Sequence, residues 1–191
     1  ISLERKYNIK QGFRPLFDSQ DRVREKTNAR ENGLNTPRFE AVNDEQSLRE
    51  ALGKIGYPAV FKTRTLGYDG HGQVVIRSEE DIAKAAAMFP VEAILEEFVP
   101  FDFEASIVMV ADGERIINFP IGRNIHKDGI LDLCIVPAPA SEEVIAKIER
   151  ESKEFMKRCG YGGILAIEFF VKGDEIYFNE MAPRPHNSGH Y

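Results

Sequence analysis

An α+β fold built mainly on antiparallel sheet is what this sequence predicts, and three observations carry the prediction. Residues 104–111 and 115–121 are apolar, β-branched runs joined by Asp112-Gly113, a strong hairpin signal. Residues 163–171 and 175–180 form a second such pair, joined by Lys172-Gly173-Asp174. Between the two pairs lies a long helical stretch from Ser141 to Cys159. It sets Val144, Ile148, Ser152, Phe155 and Cys159 on one stripe to be buried. Strands and helices of these kinds, without internal repeats, sum to an α+β chain.

At 191 residues the chain suits one domain, or one domain plus part of another. It is 42% hydrophobic and 29% charged, ordinary for a globular protein, and its net charge of -6 argues against a nucleic-acid partner. No apolar run approaches the roughly 20 residues that span a membrane, and no signal segment opens the chain. Cys134 and Cys159 lack metal-ligand spacing and read as reduced core thiols of a cytoplasmic protein. Both ends look cut: Ile1 is not methionine, and Tyr191 follows directly on a dense polar cluster.

Taken in order, residues 1–19 have weak periodicity and read as the tail of a preceding domain. Residues 20–32 are strongly helix-forming, with Gly33 to end the helix. Arg22, Arg24 and Lys26 would ordinarily be its solvated face. An extended stretch follows at 39–42, then a helix at 44–55 ended by Gly56. Residues 57–63 form an apolar strand that carries Lys62, and 73–77 form another. Ser78 with Asp81 reads as a capping box for a helix to Met88. Residues 93–99 are a strand ended by Pro100, and 130–137 a strand broken by Pro137 and Pro139. Ser141 caps the long helix, with Glu142 and Glu143 in its first turn, and Gly160 ends it.

Two features point to chemistry. Between the strands at 57–63 and 73–77 lie Gly67, Tyr68, Asp69, Gly70, His71, Gly72 and Gln73. Three glycines in six residues let backbone N–H groups approach an anion. No Gly-Lys-Ser/Thr follows and the next element is a strand, so this is no P-loop; an ordinary hairpin loop is the plain alternative. Glu168 stands inside an apolar strand, which is costly unless something pairs with it. If the final turn pivots on Asp174, Glu168 lies opposite Glu180 on one face. Opposed carboxylates destabilise a sheet unless a divalent cation lies between them, and oxygen ligands of this kind suit Mg²⁺. A tight Gly173-Asp174 turn would put the two glutamates on opposite faces and end that idea.

Together these residues resemble the ATP-grasp family, and within it the 5-(carboxyamino)imidazole ribonucleotide synthetases. The resemblance covers about residues 20–191. It rests on Lys62 with the glycine loop, on residues 124–131 (Asn-Ile-His-Lys-Asp-Gly-Ile-Leu), and most on the terminal run that begins Asn179-Glu180-Met181-Ala182-Pro183-Arg184-Pro185-His186-Asn187-Ser188. The implied fold is an ATP-grasp domain over 20–191, incomplete at both chain ends. Its smaller subdomain (52–100) carries the loop as a lid, and its larger one (101–191) carries the magnesium site.

Further implications concern single residues. ATP would lie between the subdomains, with Lys62 and Arg22 on its phosphates and the loop from Gly67 to Gln73 over them. Backbone groups of Glu96, Glu97, Phe98 and Val99 would read adenine, Glu104 the ribose, and His126 and Asn179 would line the nucleotide site. Glu168 and Glu180 would hold Mg²⁺, with Mn²⁺ able to replace it. Tyr68, Asp69, Arg184, His186, Asn187 and Ser188 would face bicarbonate and 5-aminoimidazole ribonucleotide, with Arg184 and His186 as the catalytic pair. His71 departs from the lysine or arginine often found there, which makes one phosphate contact weaker or pH-dependent. The resemblance implies a cytoplasmic homodimer that carboxylates the ribonucleotide through carboxyphosphate in purine biosynthesis. The alternatives are another ATP-grasp ligase, of the biotin carboxylase or formate-using transformylase kind, or a nucleotide-binding module without turnover.

Overall fold

The computed structural model describes residues 11–65, 72–127 and 129–190. Of the glycine-loop residues, Gly67, Tyr68, Asp69, Gly70 and His71 lie outside that set; Gly72 and Gln73 lie within it.

The first helix was not expected. Residues Arg14–Ser19 form α1, with Pro15 in its first turn, in a stretch whose weak periodicity predicts no particular element. Its buried Asp18 accepts a hydrogen bond from the Tyr161 hydroxyl at 2.6 Å, so a long-range contact holds a stretch whose periodicity is weak. Helix α2 spans Arg22–Glu31. It starts later than Gln20 because the Asp21 side chain caps it, accepting from the Val23 and Arg24 amides at 3.0 and 3.1 Å.

Strand β1 (Phe39–Val42), helix α3 (Glu45–Ile55), β2 (Ala59–Thr63) and β3 (Gln73–Ile76) follow. Asp44 and Ser47 form a reciprocal capping box on α3, and Gly56 ends it. The capping box expected at Ser78 does not form. Ser78 makes no side-chain cap, and Asp81 Oδ2 instead accepts the Arg77 amide at 3.0 Å. A 3₁₀ turn (Glu79–Asp81) and the short helix α4 (Ile82–Ala86) replace the single helix to Met88. With β4 (Ala93–Glu97) these strands make a four-stranded antiparallel sheet in the order β1-β4-β2-β3. Leu48, Leu52, Phe61, Ile76, Ile82 and Leu95 form its buried core. Because β1 and α3 belong to this unit, it begins upstream of residue 52, where the sequence places its start; that boundary falls inside α3.

The second sheet comprises β5 (Phe103–Ala111), β6 (Ile116–Asn118), β7 (Gly122–Lys127), β8 (Ile130–Ile135), β9 (Gly163–Lys172) and β10 (Glu175–Ala182). Its order is β10-β9-β5-β7-β8, with β6 beside β5. The expected strand at 115–121 stops at Asn118, and the polar run that follows forms β7. At Gly122 the sheet demands glycine, since a Cβ there would fall 2.5 Å from Cys134 Sγ. Helix α5 (Glu142–Cys159) begins at the Ser141 cap and ends at Gly160 in the left-handed conformation, φ 64°. It buries Val144, Ile148, Ser152, Phe155 and Met156 over Ile107, Phe169 and Phe178; Cys159 is only partly buried. Both cysteines are free. No helix among the described residues is long and apolar enough to cross a membrane.

Phe155 is fully buried against the rings of Tyr161 and Phe178, so Phe155→Ala should lower the unfolding free energy by about 3–5 kcal/mol in a urea titration.

Candidate functional site

Strand periodicity builds the site. On the larger sheet Glu104 and Ser106 of β5, Asn124 of β7 and Glu168 of β9 pair across the ladder, so their side chains share one face. The other face carries Ala105, Ile107, Ile167 and Phe169 to the core under α5. On the smaller sheet Val60 and Lys62 of β2, Gln73 and Val75 of β3, and Glu96 of β4 likewise share the face away from the α3/α4 core. A cleft of about 410 Å³ takes its walls from both of these faces.

The last hairpin settles the register. Its turn is the tight Gly173-Asp174 kind, with Glu175 opposite Lys172, the arrangement that was to separate the glutamates. A β-bulge at Asn179 adds one residue, and Glu180 pairs with Glu168 after all. Asn179 and Glu180 both line the cleft.

Two charge clusters follow. In the first, Lys62 Nζ donates to Glu96 Oε2 at 2.9 Å, and Lys26 Nζ lies 3.4 Å from the same oxygen. Burial works to raise the Glu96 carboxyl, but Lys26 and Lys62 outweigh it and hold the group below its ordinary range. Glu96 Oε1 is buried with no hydrogen-bond partner among the described residues. Lys26 is not on a solvated face; it is 1% exposed, and its neighbour Glu25 is 2% exposed. Burial, then the charge of Glu180, pushes Glu25 up to about 8. Arg22 Nη1 reaches Glu180 Oε2 at 3.3 Å.

In the second cluster Asn124 Nδ2 donates to Glu168 Oε1 at 3.1 Å, and Ser106 Oγ supports Asn124 at 3.1 Å. Burial, then Glu180 and Glu104, pushes Glu168 up to about 8. His126 Nδ1 sits 3.0 Å from Glu104 Oε2, and this carboxylate raises the imidazole above its ordinary value. Ligand atoms of Glu104, His126 and Glu168 lie within 4.8 Å of one another, so three residues of one face converge on a single point.

Other expected residues divide. Arg184, His186 and Asn187 line the cleft. Ser188 does not; it is 1% exposed, and its Oγ lies 2.9 Å from His186 Nδ1. Burial lowers the pKa of His186, which keeps the ring neutral at pH 7. Glu97, Phe98 and Val99 line the cleft, although the Glu97 carboxylate pairs outward with Arg38 at 3.0 Å. The Glu97 and Phe98 amides and the Val99 carbonyl are already engaged, with Arg38, Pro58 and Phe101. Gly72 closes the β2–β3 ladder, its carbonyl accepting the Thr63 amide at 2.9 Å. Sequence reasoning missed Lys26, Glu25, Ser106 and the role of Asn124. It also missed the apolar wall of Phe101, Leu131 and Phe170, where the Phe101 and Phe170 rings stack 4.7 Å apart. The period-2 spacing of Ser106 from Glu104 was a signal that could have found one of them.

Two antiparallel units thus line one cleft with lysine and carboxylate side chains. Residues 27–191 match the ATP-grasp domain, and the chain belongs to that family. Over its full length the chain is 37% identical to the N5-carboxyaminoimidazole ribonucleotide synthase of Staphylococcus haemolyticus, and it covers 51% of that protein. It is 39% identical to the Brucella melitensis protein of that name over 91% of this chain and 49% of the relative. Among solved structures it is similar to an ADP complex of N5-carboxyaminoimidazole ribonucleotide synthetase, with TM-score 0.95 and 41% identity over 99% of this chain and 51% of that one. The synthetase of that name from Thermus thermophilus gives TM-score 0.90 at 41% identity, over 99% and 52% of the two chains. The chain thus spans about half the length of the curated relatives it matches.

Glu25 supplies a pH signature. Its folded-state value of about 8 lies above the ordinary 4.5, so the native state keeps a proton that the unfolded chain has released. Stability should therefore fall as pH rises from 4.5 to about 8. Glu25→Gln keeps an acceptor for the Met181 amide and should flatten this slope in urea unfolding measured across that window.

Proposed function

We propose that this chain is the ATP-binding and phosphoryl-transfer part of a 5-(carboxyamino)imidazole ribonucleotide synthetase. Such an enzyme uses ATP and bicarbonate to carboxylate the exocyclic amine of 5-aminoimidazole ribonucleotide in purine biosynthesis. The observation that supports it most is the meeting of Lys62, Glu104, Glu168, Glu180, Arg184 and His186 on one cleft. Similarity to proteins of that name along nearly the whole chain supports the same reading.

Adenine would lie against Phe101, Leu131 and Phe170, read by the Val99 N–H and the Phe98 carbonyl. The unpartnered Glu96 Oε1 is an acceptor suited to its amine. Glu104 would accept from the ribose hydroxyls. Lys62 and Arg22 would lie on the phosphates, with the loop from Gly67 to Gln73 closing over them as a lid. Tyr68 and Asp69 would then face the second substrate.

The carboxylates fit a divalent cation. Glu168 is buried opposite Glu180 and beside Glu104, an arrangement that favours a bound proton or a metal over bare charge. Glu168 and Glu180 would hold Mg²⁺, assisted by Asn179, and the ion would offset charge on the transferred phosphoryl group. A bicarbonate oxygen attacks the γ-phosphorus, the bond to ADP breaks, and carboxyphosphate forms while the cleft excludes water. Carboxyphosphate, or CO₂ from it, then meets the exocyclic amine. Arg184 stabilises the anion. His186 Nδ1 lies 2.9 Å from the Ser188 hydroxyl, which steadies the ring, and the imidazole would take the amine proton as phosphate leaves.

The full-length protein should release ADP with bicarbonate, and faster when 5-aminoimidazole ribonucleotide is added. No stimulation by the ribonucleotide overturns the reading. Glu180→Gln should cut that rate about 100-fold or more with an unchanged circular-dichroism spectrum; retained activity would remove the residue's proposed role.

A further inference from the structure

Helix α2 meets the end of β10 with three side chains from one face, because positions 22, 25 and 26 lie one helical turn apart. Arg22 reaches Glu180, Glu25 Oε1 accepts the Met181 amide at 2.8 Å, and Lys26 Nζ donates to the Asn179 carbonyl at 2.8 Å. A second, longer contact from Lys26 Nζ goes to the Phe178 carbonyl at 3.4 Å. Lys26 meets the bulge itself, and Arg22 and Glu25 meet the two residues that follow it.

A bulge interrupts the ladder, and buried backbone groups freed in this way need partners from elsewhere. Lys26 supplies one at the Asn179 carbonyl, and Glu25 takes the amide of Met181 on the open edge of β10 just beyond it. Lys26 is also tied to Glu96, whose carboxylate holds Lys62. A lysine 1% exposed cannot act as a surface contact, and its burial is tolerable only because each direction offers an acceptor.

We infer that Lys26 is a positioning residue: it holds the bulge that sets Asn179 and Glu180 in the cleft, and ties that bulge to the strand carrying Glu96. Its consequence for cation binding rests on the function proposed above; its hold on the bulge does not.

Lys26→Met keeps the apolar stem, removes the ammonium and leaves the Lys62–Glu96 pair in place. In the full chain, amide hydrogen exchange at Glu180 and Met181 should quicken about tenfold while amides of α5 are unchanged. Unchanged exchange at 180 and 181 overturns the inference whatever the protein's activity. ADP affinity measured with and without Mg²⁺ gives a second readout. The gain in affinity from Mg²⁺ should shrink about tenfold, the loss typical when a metal ligand's support is removed, with metal-free affinity nearly constant. Equal loss in both conditions means general damage and overturns the positioning role. Ile148→Val, in the other core, should leave the ratio untouched. If Lys26→Met does not fold, Lys26→Gln, which retains a neutral amide donor group, should show the same two changes in smaller degree, and their absence there is equally decisive. A wild type that binds no ADP would sink the proposed function, while the exchange data still judge the bulge.

Discussion

Glu96 stands between two lysines, Lys62 at 2.9 Å and Lys26 at 3.4 Å, where β2, β4 and α2 come together. A buried carboxylate with one partner would only offset its own desolvation, and losing that partner would leave an uncompensated charge. With two cations on it the carboxylate stays ionised, and each lysine is held in one place. The cost is repaid in geometry more than in stability. Lys26 is thereby fixed over the bulge in β10, and Lys62 is fixed facing it across the cleft.

The opposite wall has the reverse imbalance. Glu104, Glu168 and Glu180 gather on the larger sheet with His126 and His186 beside them, and burial leaves Glu168 short of positive charge. Its elevated pKa and that of Glu25 are two signs of one field, because Glu180 contributes to both. In the proposed function this wall would take phosphate together with a divalent cation, and the lysine wall would take it directly.

Much of this was legible in the sequence. The hairpins, the Ser141 cap and the stripe on α5 follow from local rules, so they appear where spacing and turn chemistry put them. Elements set by distant partners were not legible. Helix α1 depends on Asp18 meeting Tyr161, and β7 is a polar run made a strand by its neighbours on both sides. Ser78 failed as a cap because Asp81 satisfied the Arg77 amide instead. Lys26 was misread because helix composition cannot tell a solvated lysine from one whose acceptors come from β10 and β4.

The pair of glutamates in the final hairpin shows where the division lies. A buried glutamate in an apolar strand requires a partner, and that requirement is chemical, so Glu168 and Glu180 could be matched from sequence alone. The route to the match was tertiary. The turn is the short one that ought to set them on opposite faces, and the extra residue at Asn179 restores the pairing. A bulge is decided by the partners that satisfy its displaced backbone groups. Here the partner is Lys26, more than 150 residues earlier in the chain, with Glu25 holding the residue just beyond. Sequence by itself determined which groups had to meet; only the packing of α2 on β10 decided that they do.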